Sequence, residues 1–261
     1  MADMDGMVGS GLIAGVFGVL LLSTVLGVIR RRQLLEAVAR DRAKFFRNSI
    51  LTMVGLVVNG LLAVAIHPDL TLGDVGWRAP EGNWQDYVYT GYFLVLLLAV
   101  YLRSRKGPLA ASVEVLLPRT GRERWLAGGT AVAFGIGEEF LYRGLLLAVG
   151  TELLGLPLWV AAVGSWVLFL VAHVYQGGRA LITVGLLGLL FTMIYVSSMS
   201  LVLPMLVHTL WDAVVFLLIR PRPTVETPMI ETPMIETPMV ETLVVEEPVE
   251  TPLRLRAAAP D

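Results

Sequence analysis

Seven long apolar stretches alternate with polar connectors along the first 219 residues of the chain. Most of them are long enough to cross the roughly 30 Å hydrocarbon layer of a membrane at about 1.5 Å per residue. Barrel strands would alternate in polarity every second residue, so helices are the expected spanning element. We predict an all-α protein, a polytopic transmembrane helical bundle of about seven spans. The predicted spans are Met7–Ile29, Ser49–Ile66, Tyr87–Leu102, Trp125–Leu154, Leu158–His173, Ala180–Ser197 and Leu201–Ile219.

The composition supports a protein dissolved in lipid. Hydrophobic residues make up 56% of the chain and charged residues only 16%, whereas soluble domains carry about 25% charge. A net charge of −2 argues against nucleic acid as a partner. The absence of cysteine excludes disulfides, thiol catalysis and thiolate metal sites. The first six residues contain no cation, so we interpret Met7–Ile29 as a retained span rather than a signal peptide.

Lysine and arginine are concentrated in alternate connectors. Arg30–Arg47 contains seven of them and Arg103–Arg124 contains six, whereas His67–Asp86 contains one arginine and four acids. Cytoplasmic connectors carry the excess of Lys and Arg in membrane proteins. We therefore predict an integral protein of a prokaryotic cell membrane, with its N-terminus outside and its C-terminal tail in the cytoplasm.

Residues 223–261 differ in composition from the rest of the chain. Glutamate recurs every five residues from Glu226 to Glu246, and proline recurs with it from Pro228 to Pro238. A proline every five residues prevents a stable helix. We predict a disordered, acidic tail, with a docking role for the repeats as the alternative.

Among the ionisable residues inside the predicted spans, six on three helices are candidates for a functional role. A charge at the centre of a membrane helix costs about 2.5–3.5 kcal/mol on insertion scales, so each such residue is a functional hypothesis. The six are Glu138, Glu139, Arg143, His173, His208 and Asp212.

Their spacing predicts one shared polar cavity between helices. Glu139 and Arg143 are four residues apart on one helical face, where they can form an ion pair, whereas Glu138 points about 100° away. Three helices each present a polar face, and a common water-containing cavity accommodates all of them. Straight-helix estimates place His208 roughly 10 Å from the level of Glu138 and His173, so either the cavity is tall or the span boundaries are wrong. Gly135 and Gly137 precede the acids, and they allow the backbone of a neighbouring helix to come close.

Three short motifs on these helices resemble those of a known family. EEFLYR at 138–143 fits EExxxR, FLVAH at 169–173 fits FxxxH, and HTLWD at 208–212 fits HxxxN/D. In this order on successive membrane helices they resemble the CPBP family of CAAX proteases and bacteriocin-processing enzymes, which includes type II CAAX prenyl endopeptidases. We therefore divide the chain into three N-terminal spans (1–119), a CPBP-like protease core (120–222) and the tail (223–261).

The resemblance implies an intramembrane glutamic endopeptidase that needs no metal and no cofactor. Glu138 would be the general base, and His173 would orient the attacking water. His208 and Asp212 would line the oxyanion pocket. Asp212 stands where the best-studied members have Asn, whose amide can donate a hydrogen bond to the oxyanion. An aspartate can donate only when it is protonated. The alternative role for Asp212 is therefore to orient His208. The supporting residues would be Glu139, Arg143 and Phe169. The implied partners are membrane lipid and a peptide or protein substrate at or in the membrane.

Other readings of the same residues stay open. A zinc protease could use a glutamate with His173 and His208 as ligands, although the HExxH motif is absent. A serine protease would need Ser165 beside a histidine, but His173 lies eight residues further along the same helix. A non-catalytic scaffold or a transporter could use the same polar cavity, although no internal repeat of the transporter kind is evident.

Overall fold

The computed structural model describes residues 2–80, 82–107 and 111–221, and every regular element in those ranges is helical. The all-α prediction is therefore confirmed. The α-helices are α1 (Ala2–Ile29), α2 (Arg31–Arg40), α3 (Arg42–Ile66), α4 (Trp84–Lys106), α5 (Ala111–Glu114), α6 (Gly121–Glu138), α7 (Leu158–Ala172), α8 (Gly178–Ser198) and α9 (Val202–Ala213). The predicted tail lies outside the described residues, and the three-part division of the chain stays a prediction.

Five helical segments within the described ranges have the length and apolarity of membrane spans. They correspond to five of the seven predicted spans, and the last predicted span is the shorter apolar helix Val202–Leu218. The remaining predicted span is the continuous helix that starts with α6. This helix contains Glu138, Glu139 and Arg143, and such charges lower its mean hydropathy. The prediction of a polytopic helical bundle is thus confirmed.

The helix that starts with α6 packs between α3 and α9, and α3 also packs against α1. Its side chains Phe140, Leu141 and Leu145 are fully buried in the larger apolar core. On the facing helix, a Cβ at Gly60 would come within 2.8 Å of the Phe140 ring. The glycine therefore allows α3 to approach the helix that carries the two acids.

A polar cap starts α6. The Thr120 hydroxyl accepts a hydrogen bond from the backbone N–H of Glu123 (3.2 Å), and the Glu123 carboxylate accepts one from the backbone N–H of Arg119 (2.7 Å). Such reciprocal caps satisfy amide groups that have no partner within the helix. In the same turn, Arg124 also donates to the carbonyl of Leu217 (2.7 Å), which ties the start of α6 to the end of the last helix.

The loop between α3 and α4 covers the junction of α8 and α9. The backbone N–H of Leu201 donates to the carbonyl of Gly76 (2.9 Å), and Arg78 Nε donates to the carbonyl of Met199 (2.7 Å). Gly76 has φ +73°, and a Cβ there would lie 2.6 Å from the Tyr195 ring. These bonds hold the loop against the end of the bundle opposite to the arginine-rich connectors.

Candidate active site

The helix that carries the two acids changes its winding between them. Glu138 is the last residue of α6, and a π-helix runs from Glu139 to Leu146. A second π-helical segment, Val149–Leu153, continues the helix. Single π-helical turns are rare and occur frequently at functional sites. Because the wider turn begins between the two glutamates, it changes the direction in which each side chain leaves the helix.

Glu139 is the centre of a fully buried hydrogen-bond network. Its Oε1 accepts hydrogen bonds from Arg143 Nη1 (2.9 Å) and from His208 Nδ1 (2.7 Å), and Glu139 and Arg143 are both 0% exposed. The guanidinium also donates to the carbonyl of Gly188 (2.8 Å) and to the hydroxyl of Thr192 (3.3 Å). The ion pair expected from the four-residue spacing is thus present, and it links α8 and α9 to the same carboxylate.

Glu138 faces two imidazoles. Its Oε2 lies 3.9 Å from His173 Nε2 and 3.8 Å from His208 Nε2. Asp212 Oδ2 lies 4.0 Å from the same His208 nitrogen, on the next turn of α9. The structure therefore brings together four polar side chains that come from three separate helices, as the shared-cavity interpretation requires.

The backbone fixes the orientation of His173, which follows the end of α7. Its Nδ1 is 2.7 Å from the carbonyl oxygen of Phe169. A carbonyl can only accept, so Nδ1 carries the proton of this bond, and the Nε2 of the neutral ring is an acceptor directed towards Glu138. The Phe169 and His173 rings are 4.4 Å apart at their centroids. The first and last residues of the FxxxH motif are thus joined by a hydrogen bond and by a contact between their rings.

An N-terminal residue also contacts the segment that follows His173. The Tyr175 ring lies 6.4 Å from the His173 ring in a stacked arrangement, and Arg31 Nε donates to the Tyr175 carbonyl (2.6 Å). Arg31 lies at the start of α2, which the motifs do not include. Sequence reasoning missed this contact because no local pattern relates a connector arginine to a tyrosine 144 positions later.

Glu138, His173, His208 and Asp212 line one cavity of about 490 Å³. This volume is within the range of roughly 300–1,000 Å³ found for ligand sites. The walls are mostly apolar and come from helices α3 to α9, with Phe134, Leu187, Phe191, Val215, Phe216 and Ile219 among the lining residues. A few convergent polar groups in an apolar cavity are typical of a site that holds and acts on a substrate.

The height difference expected between His208 and Glu138 is wrong. The two side chains are 3.8 Å apart because the apolar runs gave incorrect span boundaries. Glu138 lies 17 residues after the start of α6 at Gly121, about 26 Å along the helix and not near its beginning. The next helix, α7, runs back through the bundle but has only 15 residues, so it covers about 22 Å. It therefore ends deep enough to bring His173 to the acid.

The structure bears on the two alternative kinds of protease, the zinc type and the serine type, in different ways. No group of three or more His, Asp or Glu side chains within residues 2–80, 82–107 and 111–221 has the arrangement of a metal site. Ser165 is buried, and its hydroxyl donates to the carbonyl of Tyr142 (2.7 Å). That bond uses the proton that a nucleophilic serine would have to give to a base.

Gly135 permits the contact of α6 with α9 that positions Glu138 beside His208. A Cβ at position 135 would lie 2.6 Å from the backbone nitrogen and 2.7 Å from the Cα of Thr209. Backbone atoms cannot rotate away as a side chain can. The sequence expectation of close approach at this glycine therefore agrees with the geometry.

Gly135→Ala should accordingly separate α6 from α9, destabilise the protein by about 1–3 kcal/mol as overpacking does, and lower activity by moving Glu138 away from His208. Equilibrium unfolding in mixed detergent micelles measures the change in stability. Gly128→Ala is the matched control, because its Cβ would meet only a Leu217 methyl at 3.8 Å. Equal stability of the two variants would contradict the proposed close contact.

Comparison with protein families relates these residues to a known group. Residues 121–214 match the family model of Rce1-like type II CAAX prenyl endopeptidases. The match confirms the resemblance predicted from the three motifs and includes all of them. It covers a little more than a third of the chain. Searches of curated proteins and of solved structures give no match.

The Rce1-like match supports a general assignment as an intramembrane endopeptidase. Together with the apolar helices it identifies an integral membrane protein that works in lipid on a peptide substrate. Helices α1 to α5 lie before the matched segment. Three of them, α3, α4 and α5, nevertheless contribute to the cavity, through Phe45, Ser49, Val100, Arg103 and Val113.

Proposed function

We propose that this protein hydrolyses a peptide bond within or beside the membrane, with Glu138 as the general base and without a metal ion. The observation that carries the proposal is the position of Glu138 Oε2, 3.8–3.9 Å from two imidazole nitrogens at the wall of an apolar cavity. The substrate is a peptide segment that enters this cavity.

The first step activates water between Glu138 and His173. A water molecule that donates one hydrogen bond to Glu138 and one to His173 Nε2 fits two acceptors 3.9 Å apart. Glu138 takes a proton from the water while the oxygen attacks the peptide carbonyl carbon. The products of this step are a protonated Glu138 and a tetrahedral intermediate with a negatively charged oxygen.

The second step stabilises the oxyanion and releases the amine. His208 Nδ1 donates to Glu139, so its Nε2 can also donate to the oxyanion when the ring carries both protons. Glu139 and Asp212 place a carboxylate near each ring nitrogen and balance that charge. Collapse of the intermediate breaks the C–N bond, and Glu138 gives its proton to the leaving nitrogen. The carboxyl and amine products then dissociate, and Glu138 is again an unprotonated base.

The cavity opens, in our proposal, towards the cytoplasm. Its lining includes Phe45 near the start of α3, Arg103 near the end of α4 and Ile219 after the last helix. These positions lie at the bundle end that carries the arginine-rich connectors, which the distribution of cations assigns to the cytoplasm. The loop from α3 to α4 covers the opposite end.

A peptide library cleaved by the detergent-purified protein tests the proposal. We expect cleavage that continues in the presence of a chelator and disappears in Glu138→Gln. Loss of activity with the chelator and its return with zinc would replace this mechanism by the zinc alternative. A folded wild-type protein that cleaves no peptide, in detergent or in lipid vesicles, would favour the scaffold or transporter alternative.

Asp212 provides a separate test of the oxyanion step. Glu139, not Asp212, makes the 2.7 Å bond to the His208 ring, so Asp212 is not needed to orient it. Asp212→Asn should therefore keep kcat within about tenfold of wild type, since the amide can accept and donate at the same position. Asp212→Leu should lose about 10²-fold in kcat, the effect typical of an electrostatic group in such a pocket. Steady-state kinetics on one library peptide measure both. An inactive Asn variant would show that the negative charge itself is required.

A further inference from the structure

The cavity continues from the acids to a cation that lies outside the family match. Arg103 is on the last turn of α4 and lines the cavity, whereas the match begins at residue 121. Among the described residues that line the cavity, it is the one Lys or Arg side chain. The cavity therefore combines Glu138 and Asp212 with a single guanidinium on a different helix, and its other walls are mostly apolar.

We propose, on the basis of the proposed function, that Arg103 binds a carboxylate of the substrate peptide and so sets the direction in which the peptide enters. A planar guanidinium matches a carboxylate with two parallel hydrogen bonds. A carboxylate is also repelled by Glu138 and Asp212. The two effects act in the same sense, because both favour a peptide whose negative charge lies at Arg103 and not at the acids.

The local structure gives the guanidinium a defined place. A Cβ at Gly107 would lie 2.5 Å from Arg103 Nη1, so the side chain folds towards the turn that ends α4. Arg103 and Arg105 are both exposed, but Arg105 does not line the cavity and instead donates to the Tyr101 hydroxyl (3.2 Å). The two arginines lie on the same helix end and differ in their access to the cavity. Arg105 is therefore a matched control.

The carboxylate can be the C-terminus of the substrate or an acidic side chain close to the cleaved bond. Three dansyl-labelled hexapeptides of Ala, Val and Leu distinguish these sources. The first has a free C-terminus, the second has a C-terminal amide, and the third has the amide together with one Glu near the C-terminus. Fluorescence anisotropy with the Glu138→Gln protein in detergent measures their Kd values without any hydrolysis.

We expect at least one acidic peptide to bind about tenfold more tightly than the neutral amide, as a charge-assisted bidentate contact predicts. Adding Arg103→Gln should reduce that ratio to below about twofold, and adding Arg105→Gln should leave it unchanged. Whichever acidic peptide shows the preference identifies the source of the carboxylate. Equal binding of all three peptides, or no binding, would overturn the proposal. A preference that persists in Arg103→Gln, or that disappears equally in Arg105→Gln, would also overturn it.

The same variants separate this inference from the proposed mechanism. In proteins that retain Glu138, Arg103→Gln should raise KM for the preferred acidic peptide about tenfold and leave kcat unchanged, because the contact is the same in substrate and transition state. Cleavage that survives Glu138→Gln would reject the mechanism but not the carboxylate site. Cleavage that needs Glu138 but is indifferent to Arg103 would reject the carboxylate site alone.

Discussion

Glu138→Gln should lower kcat/KM for peptide hydrolysis by about 10²–10⁴-fold, which is the usual contribution of a general base. Glutamine has nearly the same shape as glutamate but cannot take a proton from water. Glu138 makes no hydrogen bond shorter than 3.5 Å to either imidazole, since its distances to them are 3.8 and 3.9 Å. Neutralising Glu138 therefore breaks no hydrogen bond to either imidazole. The thermal midpoint of unfolding should stay close to that of wild type while activity is lost.

Glu152→Gln is the control for this experiment. Glu152 lies on the same continuous helix, is exposed and does not line the cavity. Its variant should keep wild-type activity on the same library peptide, measured by product formation over time. Full activity in Glu138→Gln would rule out a general-base role for this residue. An equal loss in both variants would mean that a general effect of the helix charge, not proton transfer, is being measured.

Much of the fold was predictable from the sequence because lipid imposes simple rules on it. Apolar runs indicate membrane helices, and they predicted the spans that became α1, α3, α4, α7 and α8. The four-residue spacing of Glu139 and Arg143 predicted their ion pair, which the structure contains. These inferences succeeded because they depend on one helix at a time, through its length, its polarity or its repeat.

The contacts between helices were not predictable in the same way. Nothing in the sequence gives the register of α9 against α6, so the bond from His208 to Glu139 was missed, and Glu139 was assigned only to Arg143. The π-helix from Glu139 to Leu146 was missed for a similar reason. It carries ordinary helix-forming residues, and tertiary packing decides its winding. The roles of the site residues stay predictions until the variants are measured.

Arg143→Met should destabilise the protein by about 3–5 kcal/mol, the cost of removing one partner from a buried ion pair. The substitution leaves Glu139 buried at 0% exposure with His208 as its remaining hydrogen-bond donor. It also removes the bonds to the carbonyl of Gly188 and the hydroxyl of Thr192, so α8 loses its polar link to the site. Equilibrium unfolding in mixed detergent micelles gives the free energy, and activity should fall because the Glu139 carboxylate that positions His208 loses the guanidinium that fixes it.

The double variant Glu139→Gln/Arg143→Met tests the physical cause. If the cost comes from an uncompensated buried carboxylate, neutralising that carboxylate should recover part of the lost stability, and the two substitutions will not be additive. Arg124→Met is the comparison for an exposed arginine, because it loses one hydrogen bond to the Leu217 carbonyl, worth about 1 kcal/mol. If Arg143→Met costs no more than Arg124→Met, the buried pair contributes little. Additive losses in the double variant would instead assign the cost to packing around Phe169, over whose ring the guanidinium lies at 4.3 Å.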